Sequence, residues 1–487
     1  MKTLPEQLRK KILHACALRD SGDLSSAEDV LGEVLKLAPR NFEALVALGF
    51  IMLRRRNHSQ AAELFGRLVK IAPQRAEAYL WRGNALHGSG EMQPALISFN
   101  RAITMKPDLV DAHMGRGNVL YARGDLQAAL DAYDKAISLS ASASAYSNRG
   151  VVLKDMHRLE EALASFDRAI ELQPGLPMPY VYRGFTHLLA GDLLQGWRDC
   201  EWRLHGSAYA DSPRRWRGEL PIADKTFLLR IEQGYGDTIQ FSRYATTLAA
   251  RGARVVLEVQ PTLVNLLARI EGVSDVIPIG STVPEFDYEC SLLSLPLACA
   301  TDLDNIPATT PYLSVPRALR QCWLERLGPR SRPRIGLAWG TSSTSSTGAI
   351  RSIPLELLLR HLPEPFDYIA LQTHIPEPDQ QTLARNPQVR SLAAEHVDFA
   401  DNAALVECMD LVISVDTSIA HLSGAAGRPT WLLLPFNPDW RWMLGRRDSP
   451  WYPTMTLYRQ PRPGDWSAVL MEVSSALHAV DFPGRPG

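Results

Sequence analysis

The chain has 487 residues, of which 46% are hydrophobic and 22% are charged, and its formal net charge is -1 at pH 7. This length exceeds what one hydrophobic core serves, so we expect about three domains of ordinary globular composition. A net charge near zero gives no support for a nucleic-acid partner, and no apolar run is long enough to span a membrane.

The N-terminal residues and the cysteines indicate a compartment. The stretch MKTLPEQLRKK contains no apolar run of the kind that a secretory signal needs. The six cysteines form no Cys-x-x-Cys pair, and they lie far apart at positions 16, 200, 290, 299, 322 and 408. We therefore expect a cytoplasmic protein with reduced cysteines, without a disulfide framework or a zinc site.

The first 200 residues repeat themselves at a spacing of 34 residues. Two columns of small residues run in step, namely Gly49, Gly83, Gly117, Gly150 and Gly184, and Ala27, Ala61, Ala95, Ala129 and Ala162. Four positions after each alanine stands a large apolar residue: Leu31, Phe65, Phe99, Tyr133 or Phe166. The pattern resembles the tetratricopeptide repeat, whose stacked helix pairs form a groove for a peptide or protein. We predict an all-α tetratricopeptide-repeat solenoid over residues 1–205.

An arginine precedes the column glycine in four successive units, at Arg82, Arg116, Arg149 and Arg183. These side chains form either a basic ladder for an acidic peptide or a solvated face with ion pairs between repeats. The second alternative is the more common arrangement. Three tryptophans, Trp197, Trp202 and Trp216, lie near the junction at 206–225. They indicate that the last helix packs against the residues that follow it.

From residue 226 onward, predicted strands alternate with predicted helices, which argues for parallel sheets. We predict strands at 226–232, 253–259, 276–279, 334–339, 367–372, 411–415 and 430–434. Helices are predicted at 238–250, 261–270, 317–327, 402–409 and 465–477. The result is an α/β fold with two doubly wound, Rossmann-like halves, 226–320 and 333–482. A cleft between the carboxyl ends of the two sheets is where such folds bind ligands.

Two polar turns are predicted to lie in that cleft. Asp237 follows a glycine turn after the first strand, where a carboxylate either caps a helix or acts as a base on an acceptor hydroxyl. Asp416 and Thr417 precede a second helix, and His421 follows one turn later on the same face. Such a helix N-terminus suits a phosphate. The alternative is an ordinary N-cap with a half-buried histidine.

The stretch SVDTSIAHLSGAAGRPTWLLL, residues 414–434, resembles the nucleotide-sugar-binding segment of heptosyltransferase-like glycosyltransferases. The turn Gly234-Tyr-Gly-Asp237, followed by Ile239-Gln-Phe, resembles the Gly-Asp segment that opens the same family's catalytic region. The resemblance covers roughly residues 226–475 and implies a GT-B fold. Together with the repeats, the chain resembles a bacterial tetratricopeptide-repeat glycosyltransferase.

The resemblance implies a role for each matching residue. It makes Asp237, beside Gly236, the base that deprotonates the acceptor. It assigns the binding of the donor's diphosphate and sugar to Asp416, Thr417, Ser418 and His421. Gly340 and Thr341 correspond to a second turn that approaches the phosphates. The family places a lysine after that turn, whereas this sequence has the run Gly340-Thr-Ser-Ser-Thr-Ser-Ser-Thr-Gly-Ala-Ile350. Arg351 is the nearby cation and can hold phosphate bidentately.

The segment Asp439-Trp-Arg-Trp442 is dense in aromatic and charged residues, and it either lines the pocket or packs in the core. Packing accounts for most of it, and Arg441 is the exception that we expect in the pocket. No metal site is expected, because the Asp-x-Asp pair at Asp302 and Asp304 offers no cluster of ligands.

These features predict a metal-independent, inverting glycosyltransferase. It would move a sugar from a nucleotide-diphosphate sugar to a hydroxyl of a protein or glycan that the repeats present, and it would need no cofactor. The alternative is a tetratricopeptide-repeat scaffold whose glycosyltransferase-like domain is weakly active or inactive, which the missing lysine supports.

Overall fold

The computed structural model describes residues 4–341 and 346–482 of the chain. Contacts within the chain divide it into two compact units, Met1–Arg183 and Gly184–Gly487. In the described residues, the first unit is helical and the second contains two parallel sheets.

Helices α1 to α11 follow one another through the first unit, and α11 continues past Arg183. Their bounds are Leu4–Asp20, Leu24–Leu37, Phe42–Arg54, His58–Ile71, Ala76–Gly88, Met92–Met105, Val110–Ala122, Leu126–Leu139, Ala143–Asp155, Leu159–Leu172 and Pro177–Ala190. Side chains of Asp23, Asn41 and Asn57 accept backbone N–H groups where α2, α3 and α4 begin. The predicted all-helical repeat array is confirmed.

The glycine and aromatic columns meet within each helix pair. A Cβ atom built on Gly83 would lie 2.7 Å from Cε1 of Phe99, and one built on Gly117 would lie 2.6 Å from Cε1 of Tyr133. All five residues of the alanine column are fully buried. Because larger side chains would collide with the rings, these small residues determine how closely the paired helices approach.

Two of the four arginines before the column glycines form ion pairs with the preceding helix. Nε of Arg149 donates to Asp134 on α8 at 2.6 Å, and Nη1 of Arg183 donates to Asp167 on α10 at 2.7 Å. These contacts favour the alternative of ion pairs between repeats over a ladder reserved for an acidic peptide.

We expect Gly83→Ala to destabilise the first unit by about 1–3 kcal/mol, because the added methyl group overpacks the contact with Phe99. Gly32→Ala is the matched control, since Gly32 also lies inside a helix and nothing would come within 4 Å of its Cβ atom. That change should stabilise α2 by about 0.5–1 kcal/mol. Melting curves recorded by circular dichroism at 222 nm measure both effects. Equal shifts for the two variants would contradict this account of the glycine column.

The second unit begins at Gly184, within α11, and its next helix, α12, Leu193–Cys200, packs against later residues as the sequence predicted. The side chain of Trp197 is buried, and its Nε1 donates to the carbonyl of Thr301 at 3.0 Å. The division between the compact units therefore lies ahead of α12, and the end of the repeats at residue 205 remains a prediction. The junction is bonded to later residues as well. The backbone N–H of Trp216 donates to the carbonyl of Glu289, and the backbone N–H of Glu289 donates to the carbonyl of Arg214.

The first sheet has the order β3-β2-β1-β4 and the second the order β10-β9-β8-β5-β6-β7. All pairs in both sheets are parallel. The first sheet consists of β1 Thr226–Arg230, β2 Arg254–Val259, β3 Val273–Pro278 and β4 Tyr288–Ser291. The second consists of β5 Arg334–Ala338, β6 Asp367–Ala370, β7 Val389–Ser391, β8 Leu411–Val415, β9 Thr430–Leu434 and β10 Met455–Arg459. The order of the second sheet is that of the doubly wound α/β fold.

Helices connect these strands. They are α13 Tyr235–Phe241, α14 Tyr244–Ala250, α15 Val264–Leu267, α16 Leu295–Ala298, α17 Arg317–Leu327, α18 Ser346–Arg351, α19 Leu355–Leu359, α20 Glu377–Ala384, α21 Phe399–Glu407, α22 Ser418–Ala425 and α23 Trp466–Ala479. The first half comprises β1–β4 with α13–α16, and the second half comprises β5–β10 with α18–α22. No helix in the described residues combines the length and apolar character needed to cross a bilayer.

Several predicted elements need correction. The helix predicted over 238–250 is two helices, α13 and α14, and α13 already begins at Tyr235. The strands β4, β7 and β10 were not predicted. In β4 the charged Glu289 interrupts the apolar pattern, and the structure satisfies it with Arg230 of β1 at 3.0 Å. In β7 the residues Arg390 and Ser391 are exposed, so the strand shows no apolar run.

Candidate functional site

A cavity of about 440 Å³ lies between the two halves of the second unit. Its walls come from the residues that follow β1, β5, β6 and β8, together with α21 and the segment around Arg441. All nine residues predicted for the site line it: Gly236, Asp237, Gly340, Thr341, Arg351, Asp416, Thr417, Ser418 and His421. The structure thus brings together residues that stand up to 185 positions apart in the sequence.

Asp237 lies in the first turn of α13 and faces the cavity. Its Oδ2 accepts the backbone N–H of Gly234 at 2.9 Å, which caps the helix. Its Oδ1 accepts a hydrogen bond from Nη2 of Arg441, on the other half. Asp237 therefore caps α13, which is one of the two predicted alternatives. Its place in the cavity wall also permits a role as base, which stays a prediction.

Arg441 is the centre of a charged cluster. Only 7% of its side chain is exposed, although it lines the cavity. Besides Asp237, its guanidinium donates to Asp439 at 2.9 Å and to Oε1 of Gln240 at 2.5 Å. Burial lowers the pKa of Arg441, but Asp439 and Asp237 outweigh burial, so its pKa lies above the usual value. As expected, Arg441 lines the cavity, but Asp439 of the same segment lines it too.

Asp416 is a buried carboxylic acid beside Arg351. Nη1 of Arg351 lies 3.4 Å from Oδ2 of Asp416 and donates to its backbone carbonyl at 3.3 Å. Burial and the neighbouring Asp439 raise the pKa of Asp416 to about 6, against the opposing effect of Arg351 and Arg441. At neutral pH this carboxyl group is thus close to the point at which it takes up a proton.

His421 is buried rather than half-buried, and 5% of it is exposed. Its Nδ1 lies 2.9 Å from the hydroxyl of Tyr452, and its ring centroid lies 5.4 Å from that of Trp442. Burial, together with nearby arginines, lowers the pKa of His421 well below 6.5, so the imidazole is neutral. Its Nε2 is 4.0 Å from Asp416, which is a contact between neighbours rather than an ion pair.

Gly236 has a packing role as well as a place in the cavity wall. A Cβ atom built on it would lie 2.7 Å from Cδ2 of His421. Since α13 carries Gly236 and α22 carries His421, this glycine allows the two halves to meet closely beside the cavity.

The turn after β5 is occupied by protein groups. Oε1 of Gln372 accepts the backbone N–H groups of Trp339 at 3.0 Å and Gly340 at 3.1 Å. The hydroxyl of Ser352 accepts the N–H of Thr341 at 3.2 Å. A phosphate at this turn would have to displace both side chains. Residues 342–345 of the serine/threonine run lie outside the described residues.

Two further groups lie near the anion site that was predicted on α22. Thr417 caps this helix through its backbone, and its hydroxyl lies 3.3 Å from that of Ser414. Nε of Arg351 is buried and has no hydrogen-bond partner among the described residues. These groups, with the first N–H groups of α22, suit an anion better than they suit a neutral ligand.

Sequence reasoning missed part of the lining, namely Gln233, Tyr235, Gln372, Thr373, His374, Phe399, Asn402 and Asp439. Gln372 to His374 follow β6, and the rule that ligands bind at carboxyl ends of strands could have found them. Phe399 had no such signal, because the helix that carries it was predicted to begin at residue 402. Its ring centroid lies 4.8 Å from that of Tyr235, across the halves. Within residues 4–341 and 346–482, no group of three His, Cys, Asp or Glu side chains could hold a metal ion.

We expect His421→Ala to lower the free energy of unfolding of the second unit by about 1–3 kcal/mol, because it removes buried packing and the Tyr452 hydrogen bond. Thr417→Ala should cost less, since its side chain makes no cap hydrogen bond and only a long hydrogen bond of 3.3 Å with Ser414. Ten of the 11 tryptophans follow residue 183, so tryptophan fluorescence during urea unfolding monitors this unit. Equal stability of His421→Ala and wild type would show that the histidine does not contribute to the core.

A second expectation concerns pH. Because the pKa of Asp416 rises from 3.8 to about 6 on folding, the folded state binds this proton more tightly between those pH values. The stability of wild type relative to Asp416→Asn should therefore fall as pH rises through this window, by about 3 kcal/mol in all, and level off above it. Urea unfolding at a series of pH values from 4 to 8 measures the difference. A difference that rises with pH would show that Arg351 outweighs burial.

The matches to family models lie within the first unit. Family models described as tetratricopeptide repeat match residues 18–85, 76–109 and 143–176, and one described as TPR repeat matches residues 117–157. "Protein FlbA" of Caulobacter vibrioides is 26% identical in an alignment over 340 residues that covers 62% of this chain and 56% of that protein. The chain thus spans about half the length of this relative.

Solved structures match about a third of the chain. A crystal structure of MamA is 29% identical, covers 33% of this chain and 94% of its own, and has a TM-score of 0.31. TTC0263 of Thermus thermophilus is 23% identical, covers 37% and 99%, and has a TM-score of 0.32. The family matches establish that the first unit carries tetratricopeptide repeats, which agrees with its helices and its glycine and alanine columns.

Proposed function

We propose that the second unit is a metal-independent, inverting glycosyltransferase of GT-B type. It transfers a sugar from a nucleotide-diphosphate sugar to a hydroxyl of a protein or glycan, and the repeats recruit the acceptor. The observation that supports the proposal is the convergence of nine predicted residues, from two α/β halves, on one cavity. Its volume of about 440 Å³ falls within the range of small-molecule sites.

The second half offers groups for the donor's diphosphate. The N-terminus of α22, with Thr417 and Ser418, presents backbone N–H groups and the positive end of the helix dipole. Arg351 adds a guanidinium whose Nε is buried and free of partners among the described residues. An arginine fork matches phosphate oxygens in two places at once, so it can replace the lysine of the related family.

The first half offers Asp237 to the acceptor. In the proposed reaction, the acceptor oxygen bonds to the anomeric carbon while the bond from that carbon to the diphosphate oxygen breaks. The leaving diphosphate takes the electron pair of that bond, and the acceptor proton passes to the carboxylate of Asp237. Attack on the face opposite the leaving group inverts the anomeric centre. Stabilisation of the leaving diphosphate falls to Arg351 and α22.

A second candidate function is a repeat scaffold whose glycosyltransferase-like domain binds a sugar nucleotide with little turnover. This alternative is favoured by protein groups that already bind the residues of the site. Gln372 accepts the backbone N–H of Gly340, and Arg441 donates to the carboxylate of Asp237. The two functions share donor binding and differ in turnover.

Binding is tested first by thermal shift with UDP, GDP, ADP, dTDP and CDP and their common sugar conjugates. A ligand at a hundred times its dissociation constant stabilises the folded chain by about 2.7 kcal/mol. Absence of a shift with every nucleotide would contradict the proposed function. The nucleotide that binds then serves in assays of sugar transfer and of donor hydrolysis.

At saturating donor, we expect Asp237→Asn to lower turnover by about a hundredfold or more, because asparagine cannot accept the proton. The amide oxygen can still accept the N–H of Gly234, so the cap of α13 is kept. Asp287→Asn is the matched control, since Asp287 also accepts a backbone N–H, from Thr226 at 2.8 Å, and does not line the cavity. Near-normal turnover of Asp237→Asn would place the base elsewhere.

A further inference from the structure

Arg441 occupies an unusual position in the cavity wall. Among the residues that the structure describes, the lining includes two arginines, Arg351 and Arg441, and no lysine. Arg441 belongs to the second half, in the 3-10 turn Trp440–Trp442, yet two of its partners, Asp237 and Gln240, belong to α13 of the first half. Its guanidinium therefore lies between the candidate base and the half that carries the candidate diphosphate site.

Arg441 lies among carboxyl groups with which a bound diphosphate would compete. Three carboxyl groups line the cavity, those of Asp237, Asp416 and Asp439, so an entering diphosphate meets negative charge. A planar guanidinium makes the same forked hydrogen bonds to phosphate as to carboxylate. The face of Arg441 packs on the ring of Trp440, with Cζ 4.3 Å from the centroid. An exchange of anions at the edge of the guanidinium leaves this face contact intact.

We propose that Arg441 is a positioning residue that exchanges Asp237 for a phosphate oxygen when a nucleoside diphosphate enters the cavity. Before binding, the ion pair occupies Oδ1 of Asp237. After binding, Oδ1 is released towards the acceptor hydroxyl, while Oδ2 keeps the N–H of Gly234. Donor binding thereby prepares the base. This inference rests on the proposed function, because it requires that the cavity bind a nucleoside diphosphate.

The exchange has a consequence for affinity. If Asp237 and the diphosphate compete for Arg441, the diphosphate binds only those molecules in which Arg441 is free of Asp237. The apparent affinity is then the intrinsic affinity multiplied by the fraction of such molecules. Asp237→Asn weakens the competitor and should tighten nucleoside diphosphate binding by about three- to tenfold. If the Arg441–Asp237 pair only holds the halves together, the same substitution leaves the affinity unchanged or weakens it.

Loss of a negative charge could also tighten anion binding directly, without any exchange. The double-mutant cycle separates the two causes. Isothermal titration calorimetry gives the dissociation constant of the nucleoside diphosphate found by thermal shift, for wild type, Asp237→Asn, Arg441→Gln and the double variant. Exchange predicts that the gain from Asp237→Asn disappears in the Arg441→Gln background. A direct charge effect predicts that the gain persists there.

Arg441→Lys is the second variant, for the case in which Arg441→Gln does not fold. Lysine keeps the positive charge but lacks the forked pair of N–H donors. In this background exchange predicts a reduced but measurable gain from Asp237→Asn. Circular dichroism and tryptophan fluorescence establish that each variant is folded before titration. A gain that is absent in the wild-type background, or equal in all backgrounds, overturns the exchange alone. Failure of the wild-type chain to bind any nucleoside diphosphate overturns the proposed function and the exchange with it.

Discussion

The close contact of α13 with α22 is the constraint on which the second unit depends. Gly236 of the first half lies against His421 of the second, and no larger residue fits there without displacement of the imidazole. Two arginines, one from each half, form further hydrogen bonds between the halves. Arg441 reaches Asp237 on α13, and Arg243 of the first half donates to the carbonyl of Trp451 at 2.7 Å. Because the halves meet here, the residues at the carboxyl ends of both sheets enclose one cavity.

Burial explains the electrostatics of that cavity. Each charge removed from water costs free energy, which neighbouring charges and hydrogen bonds must offset. Arg441 is offset by Asp237 and Asp439, whereas Asp416 and His421 are compensated less well and shift towards their neutral forms. Opposing shifts of two adjacent groups, next to fixed cations and within a cavity, are typical of functional sites.

Stability is organised differently in the two units. In the first, each contact between a column glycine and an aromatic ring involves residues 16 positions apart, as with Gly83 and Phe99. The repeats therefore depend on neighbours in sequence, as in other stacked arrays. In the second, two strand pairings join distant segments: β1 pairs with β4, 61 positions later, and β5 pairs with β8, 76 positions later. The site is built on these distant pairings.

Local sequence patterns were enough to predict the repeats, the α/β class of the second unit and nine of the residues that line the cavity. Strands β8 and β9 and helix α17 have the predicted bounds, because apolar runs and their flanking residues act locally. The partners of those residues follow from the fold and not from the local pattern. Arg441 stands 204 positions after Asp237, Gln372 reaches the turn at Gly340, and His421 is buried by Tyr452 and Trp442. Periodicity and capping describe neighbours along the chain, whereas an ion pair or a buried ring depends on where distant segments meet.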